Sequence, residues 1–177
     1  MTPSFYDVSV RTYQQIVGAT AGFLTRGAEH FATEGADLAE VARSRLRDDM
    51  ATLQFQVFCV AHHSIGALEG MRSGEFRPPA DEKGLKGSDL EYTDLQALIA
   101  ETADKLAALE EDAVNALAEG KLTFKLSGNE LPFTNPHFLL TFSLPNFYFH
   151  ATTAYAILRS KGVPIGKRDF LGQMRIG

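Results

Sequence analysis

The sequence has 177 residues, of which 45% are hydrophobic and 22% are charged, and its formal net charge is -5 at pH 7. This composition is typical of one folded domain and excludes a disordered chain. The negative charge argues against general nucleic-acid binding, which needs a basic surface. One cysteine cannot form an internal disulfide, and neither a signal peptide nor a membrane span is recognisable. We expect a single cytoplasmic domain covering residues 1–177.

The first predicted helix covers residues 3–32. Its apolar side chains recur at intervals of three and four residues, which is the spacing of one buried helix face. These positions are Tyr13, Ile16, Val17, Thr20, Leu24 and Phe31. Gly35 ends the helix, and Asp37 with Glu40 indicates a capping box that starts a short connecting helix.

The second predicted helix covers residues 47–71. Three polar residues, Asp49, Gln56 and His63, recur in it at intervals of seven, so we expect them to project from the same side. Gly74 ends this helix and begins a loop of about fifteen residues.

The third helix is predicted to start near Ser88, where Ser88 and Glu91 indicate a second capping box. After it, residues 121–134 alternate between apolar and polar side chains on either side of the turn signal Ser127-Gly128-Asn129. We predict a small two-stranded β-hairpin here, packed against the helices because two strands are not stable alone.

The fourth helix is predicted to begin at Thr134 or Asn135 and to end at Gly162. Pro145 lies inside it, so we expect a kink there. The helix is apolar on nearly all sides, which predicts burial on more than one side. The bundle core covers one side, and a homodimer formed through this last helix explains the other. Four such helices predict an all-α four-helix bundle.

Two polar residues one turn apart, Asn146 and His150, interrupt the apolar surface of the fourth helix. A buried polar group must be hydrogen-bonded or bound to a ligand, because leaving it bare costs roughly 1–3 kcal/mol. One interpretation is therefore a core histidine, His150, that is hydrogen-bonded to Asn146 or, across the bundle, to Gln56. Cys59 lies between apolar neighbours and is interpreted as a small packing residue.

The fourth helix resembles the last helix of the DinB/YfiT-like superfamily. In that helix a histidine is followed eight and nine residues later by Leu-Arg and twelve residues later by glycine, as in His150, Leu158, Arg159 and Gly162. More narrowly, residues 144–159 and the segment Gly-Lys-Arg-Asp-Phe-Leu-Gly at 166–172 resemble an uncharacterised branch of the superfamily, a domain of unknown function. The resemblance implies an up-down-down-up four-helix bundle, often dimeric, with the β-hairpin before its last helix.

The resemblance also implies a metal site of three histidines, one from the second helix and two, four residues apart, from the last. Asn146 and His150 match that pair, so one ligand is missing, and an amide is a poor ligand for zinc or nickel. The second helix offers His62 and His63, which point about 100° apart. We favour His63 because it shares a side with other polar residues, and His62 stays an alternative.

Two functional hypotheses follow. In the first, the protein is a dimeric bundle without an intact metal site that binds a small ligand in its core through Gln56 and Asn146. In the second, which the resemblance implies, it is a divalent-metal enzyme of the thiol-transferase or hydrolase type. Its ion, zinc, nickel or iron, is then held by His63 and His150, helped by Gln56 or by Asp49 as a carboxylate ligand.

Overall fold

The computed structural model of the chain describes residues 2–81 and 84–176. Most of this chain is helical. The helices are α1 (Phe5–Val8), α2 (Val10–Glu34), α3 (Leu38–Ala42), α4 (Leu53–His62), α5 (Ile65–Ser73), α6 (Tyr92–Ala107), α7 (Glu111–Asn115), α8 (Asn135–Phe138), α9 (Leu144–Ser160) and α10 (Lys167–Leu171). A 3₁₀ turn covers Ala116–Glu119, and a π-helical turn covers Leu139–Ser143. None of the described helices combines the length and the apolarity that crossing a bilayer requires.

The four longest packing elements surround one core. Helix α2 packs on α6, α6 on α4, α4 on α9, and α9 on α2, which closes the ring. The largest side chains buried inside it include Tyr13, Phe23, Tyr92, Leu95, Phe138, Phe147 and Ile157. The amphipathic spacing seen in the sequence therefore directs each helix towards a shared interior.

A small sheet lies at one end of the helices. Its strands are β1 (Glu75–Phe76), β4 (Lys121–Leu126) and β5 (Asn129–Thr134), while β2 (Ala80–Asp81) and β3 (Gly84–Leu85) form a separate antiparallel pair. Strand β4 pairs antiparallel with β5 and parallel with β1. The third strand was not predicted, because two residues are too few to show an alternating pattern.

The second helix differs most from its prediction. It begins at Leu53 instead of residue 47, with Thr52 accepting a hydrogen bond from the Phe55 amide at 3.5 Å, and it is interrupted between α4 and α5. At the interruption the Ser64 hydroxyl donates to the Val60 carbonyl at 2.6 Å. This bond competes with the backbone hydrogen bonds of the helix and bends the helix. The interruption leaves His63 as the C-terminal cap of α4.

At two other helices, capping residues determine where the helix starts. The third helix begins at Tyr92 instead of near Ser88, because the Glu91 amide donates to Asp94 at 2.9 Å and so makes Glu91 the cap. Of the two predicted caps, Thr134 and Asn135, the structure selects Thr134 for α8, and Pro136 lies in the first turn as predicted.

The predicted irregularity at Pro145 takes the form of the π-helical turn. The Leu144 amide reaches back five residues to the Leu139 carbonyl, and α9 then starts with Pro145 in its first turn, where a missing N–H leaves no gap in the ladder. At the other end, Gly162 adopts a left-handed conformation with φ of 95° and ends the helix as predicted.

The contact between α2 and α6 predicts opposite effects for two glycines in the same helix. A methyl group at buried Gly27 overlaps the Tyr92 hydroxyl, which donates to the Leu24 carbonyl at 2.8 Å. We expect Gly27→Ala to lower the free energy of unfolding by about 1–3 kcal/mol through overpacking. Gly18 is exposed with no described atom near its added methyl, so Gly18→Ala should raise that free energy by roughly 0.5–1 kcal/mol. Urea unfolding of both variants measures the difference, and equal effects would contradict this packing.

Candidate metal centre

Three potential ligands lie between α4 and α9. Cys59 and His63 are four residues apart, so they lie on one face of α4, and His150 faces them from α9. One ligand atom from each, the Cys59 Sγ and a ring nitrogen of each histidine, lies within 4.8 Å of the other two. All three side chains are buried. The imidazole rings are stacked, with centroids 5.5 Å apart and planes 3° from parallel.

A hydrogen bond across the bundle fixes the orientation of His150. Its Nδ1 lies 2.7 Å from the Gln56 Oε1, so of the two partners predicted for His150, Asn146 and Gln56, the structure selects Gln56. The Gln56 amide nitrogen donates to the Ala51 carbonyl at 3.2 Å, so the amide oxygen is the atom that faces the ring. An amide oxygen only accepts, so Nδ1 carries the hydrogen and Nε2 keeps the lone pair that a metal needs.

His63 is held through its backbone and has an unsatisfied ring atom. The Ser143 hydroxyl donates to the His63 carbonyl at 2.7 Å, and the Tyr13 hydroxyl lies 2.6 Å from the same Ser143 oxygen. Because Ser143 gives its proton to His63, Tyr13 is the donor to Ser143. The buried Nδ1 of His63 has no hydrogen-bond partner in the described part of the chain. A buried polar atom of this kind needs an explanation, and a bound ion is one.

Burial keeps the ligands in their uncharged forms. Burial, with smaller contributions from His62 and His150, lowers the pKa of His63 from 6.5 to about 3. Burial, followed by the effect of His62, lowers the pKa of His150 to about 4. Burial raises the pKa of the Cys59 thiol. At neutral pH both imidazoles are therefore ready to bind a metal, and the thiol has to lose a proton first.

Aromatic side chains surround the two histidines. Phe55 packs edge-on against His150 with centroids 5.7 Å apart, and Phe142 packs against His63 at the same distance. Phe76 of β1 adds a contact to His63 at 5.9 Å, so the sheet supports the site. These rings make an apolar environment, in which electrostatic interactions are stronger than in water.

His62 and His63 have different partners, although their rings touch edge-on with centroids 5.1 Å apart. The His62 Nε2 lies 2.9 Å from the Arg77 carbonyl, and its ring stacks on Phe58 at 6.1 Å. This contact connects α4 to the segment that follows β1. Of the two alternatives, the structure brings His63 to His150, and His62 lies outside the group of ligand atoms.

Two other residues selected from the sequence do not join the cluster. Asp49 precedes α4, its side chain is 85% exposed, and it lies 3.8 Å from the Arg47 guanidinium. The placement of Asp49 on the side of His63 assumed a helix from residue 47, and the helix starts at Leu53. Asn146 is half-buried and donates from Nδ2 to the Phe142 carbonyl at 2.7 Å, so its amide is bound to the π-helical turn just before α9.

Cys59 is the member of the cluster that sequence reasoning missed. The interpretation as a packing residue used the absence of basic neighbours, which concerns thiol reactivity. The spacing of Cys59 and His63, one helical turn apart, was the signal that could have identified the pair.

One thiol and two imidazoles form a ligand set that suits zinc, which prefers sulfur and nitrogen donors. Tetrahedral zinc with bonds of about 2.0–2.3 Å places its ligand atoms roughly 3.3–3.8 Å apart. The ligand atoms lie within 4.8 Å of one another, so binding zinc requires them to approach by at most about 1–1.5 Å. Three protein ligands leave a fourth position for water or a small ligand.

The low pKa values of the two histidines predict acid sensitivity of the metal-free protein. Between pH 6.5 and 4 the unfolded chain binds more protons than the folded chain. The free energy of unfolding therefore has its highest value above pH 6.5 and decreases as the pH falls below it. For His150 the loss is on the order of 3 kcal/mol. Urea unfolding with a chelator at pH 7.5 and 4.5 measures how much the free energy of unfolding decreases between the two pH values. The decrease should be smaller in His150→Gln than in the unmodified protein, and unchanged in His137→Gln, whose site is exposed. Equal pH dependence in all three proteins would contradict the burial of a neutral His150.

Comparison with known proteins places the chain in a family. The family described as "Domain of unknown function (DUF1993)" matches residues 5–171. A crystal structure of a DinB family member protein from Shewanella denitrificans superposes with a TM-score of 0.78 at 25% sequence identity, covering 97% of this chain and 94% of that chain. Among curated proteins there is no significant match. The chain belongs to the DUF1993 domain family, and its fold is similar to that of a DinB family member.

Proposed function

We propose that this protein binds a divalent metal ion, zinc by preference, through Cys59, His63 and His150, and that the ion forms the base of a small-ligand site. The observation that carries this proposal is the buried, unpartnered Nδ1 of His63 in a group of three neutral ligands. In an apolar environment this atom is costly unless a ligand satisfies it.

In this proposal Cys59 compensates for Asn146. The superfamily resemblance predicts two ligands from the last helix, and the Asn146 amide is committed to the Phe142 carbonyl. Cys59 lies one turn before His63, so α4 supplies two ligands and α9 supplies one. The ligand count stays at three, although the helix that provides the third ligand has changed.

The surrounding residues have definable roles in this site. Gln56 selects the tautomer of His150 that exposes Nε2. Ser143 and Tyr13 hold the backbone of His63 at the end of α4. Phe55 and Phe142 limit the access of water to the ligands. A bound zinc ion supplies Lewis acidity and lowers the pKa of a water or thiol at its fourth position.

Zinc binding tests this proposal through its stoichiometry and its proton release. Protein produced without an affinity tag should bind about one zinc per chain, and at pH 7 each ion should displace about one proton, because only the Cys59 thiol has to ionise. Calorimetry in two buffers of different ionisation enthalpy measures this number. Cys59→Ser and His150→Ala should each weaken zinc binding at least about 10-fold.

His137→Ala is the matched control, because His137 is an exposed histidine outside the cluster. This variant should bind zinc like the unmodified protein. Unchanged zinc binding in the Cys59 and His150 variants would refute the proposed ligand set. Failure of folded protein to take up zinc, nickel or iron would favour a metal-free ligand site at Gln56 and Asn146.

We also propose that two copies associate through the last helix. Large apolar side chains on α9 and on the π-helical turn before it are exposed, with Leu140 at 55%, Tyr148 at 40% and Phe149 at 58%. Such side chains on a soluble protein favour a protein contact. The Phe149 ring packs edge-on against His150 at 5.3 Å, so a partner at this surface would cover the outer side of the metal centre.

A charge placed in this surface tests the dimer. Leu140→Glu should shift the protein from dimer to monomer in sedimentation equilibrium, because a carboxylate in the contact has to lose its hydration. Leu46→Glu is the control, since Leu46 is also exposed but lies between α3 and α4. A monomeric unmodified protein, or a dimer that survives Leu140→Glu, would contradict the proposed interface.

A further inference from the structure

A concave region lies between α2 and the C-terminal segment from α10 to Ile176. It is a groove with a volume of about 920 Å³. None of its lining residues belongs to the Cys59, His63 and His150 cluster. The zinc proposal therefore neither requires this groove nor explains it.

Four arginines line the groove although the protein as a whole is acidic. They are Arg11, Arg26, Arg168 and Arg175. The only acidic residue in the described lining is Asp169. Asp7 lies beside the opposite end of the groove, where it forms an ion pair with Arg11 at 2.9 Å. The groove and its rim therefore have a net positive charge, while the formal net charge of the protein is -5.

The arginines form two pairs at opposite ends. Arg175 donates to the Asp7 carbonyl at 3.5 Å, which places it near Arg11. Arg168 precedes Asp169, whose carboxylate pairs with Arg26 at 2.6 Å. Fifteen residues of helix separate Arg11 from Arg26, a rise of roughly 22 Å at about 1.5 Å per residue. The positive charge is thus divided between two distant positions.

These guanidinium groups have N–H donors that their ion pairs do not use. Each has five N–H groups, and one carboxylate oxygen uses only a part of them on Arg11 or Arg26. Within the described chain, Arg168 and Arg175 form no ion pair with a carboxylate. Arginine forks bind carboxylate and phosphate groups with two parallel hydrogen bonds.

The floor between the two pairs consists of helix backbone. Gly18 and Gly22 are exposed on the side of α2 that also carries Arg11, Gln15 and Arg26. Apart from the helix's own backbone, no described atom lies within 4 Å of a Cβ added at either glycine. Glycine is among the least favourable residues inside a helix, and no packing contact within the described chain requires it here. The absence of side chains leaves room for another molecule to approach the helix closely.

We propose that this groove binds an elongated small molecule with an anionic group, phosphate or carboxylate, at each end. One end is bound by Arg11 and Arg175, and the other by Arg26 and Arg168. The middle of the ligand lies over Gly18 and Gly22. The volume of the groove is within the range of small-molecule sites.

The test uses decane-1,10-bisphosphonate, dodecanedioate and decylphosphonate as probes in calorimetric titrations at physiological salt. At least one two-ended probe should bind with 1:1 stoichiometry, and the tighter of the two identifies the preferred anion. Decylphosphonate, which has one anionic end, should bind at least about 10-fold more weakly, because the second contact adds effective concentration only to a two-ended ligand.

Variants separate binding from folding. Arg168→Ala combined with Arg175→Ala should weaken the binding of the two-ended probe at least about 10-fold. Arg72→Ala, an exposed arginine outside the groove, should not change binding. Gly18→Leu combined with Gly22→Leu fills the floor with better helix formers, so the Tm should stay equal or rise while binding is lost.

The proposal is overturned if neither two-ended probe binds, or if both variants bind it as tightly as the unmodified protein. It is also overturned if the one-ended probe binds equally well, because that result indicates nonspecific attraction to surface arginines. An acidic peptide that binds where neither small probe does would identify the groove as a protein contact instead.

Discussion

The centre of this molecule depends on the contact between α4 and α9, and in particular on the burial of two neutral imidazoles within it. His63 and His150 stack against each other, and the hydrogen bond from His150 to Gln56 supplies the polar link between the helices. Burial disfavours the charged form of each ring, which lowers both pKa values well below 6.5. The same burial that makes these groups costly for the fold makes them available to a metal at neutral pH.

Two irregular backbone segments allow this contact to form. The interruption after α4 frees the His63 carbonyl, and the π-helical turn before α9 carries Ser143, which donates to that carbonyl. Tyr13 of α2 completes the chain of hydrogen bonds, so three elements meet at one ligand. Interruptions of regular helices cost stability, and they are frequent at functional sites. Here each interruption positions an atom next to the cluster.

The interior cluster and the groove along α2 lie in different electrostatic environments. The interior cluster is uncharged and enclosed by aromatic rings, so it suits a soft or borderline metal ion. The groove along α2 is open and lined by four arginine side chains. These environments select different chemistry: thiol and imidazole coordination in the interior, and anion recognition on the surface. A bundle can therefore hold two independent sites without competition between their electrostatic requirements.

The sequence by itself determined the helical faces, the cap at Asp37 and the end at Gly162. It limited the partner of His150 to Asn146 or Gln56 and the cap of the last helix to Thr134 or Asn135, and the structure selects Gln56 and Thr134. These features follow from local spacing and from the need to satisfy buried polar groups. Tertiary structure decided the third strand, the start of α4 at Leu53, the exclusion of Asp49 and the inclusion of Cys59. The physical reason is that the distances between side chains on different helices decide which residues can bind the same ion. A small shift in where a helix begins or breaks changes which side chains meet, and the local pattern does not specify that shift.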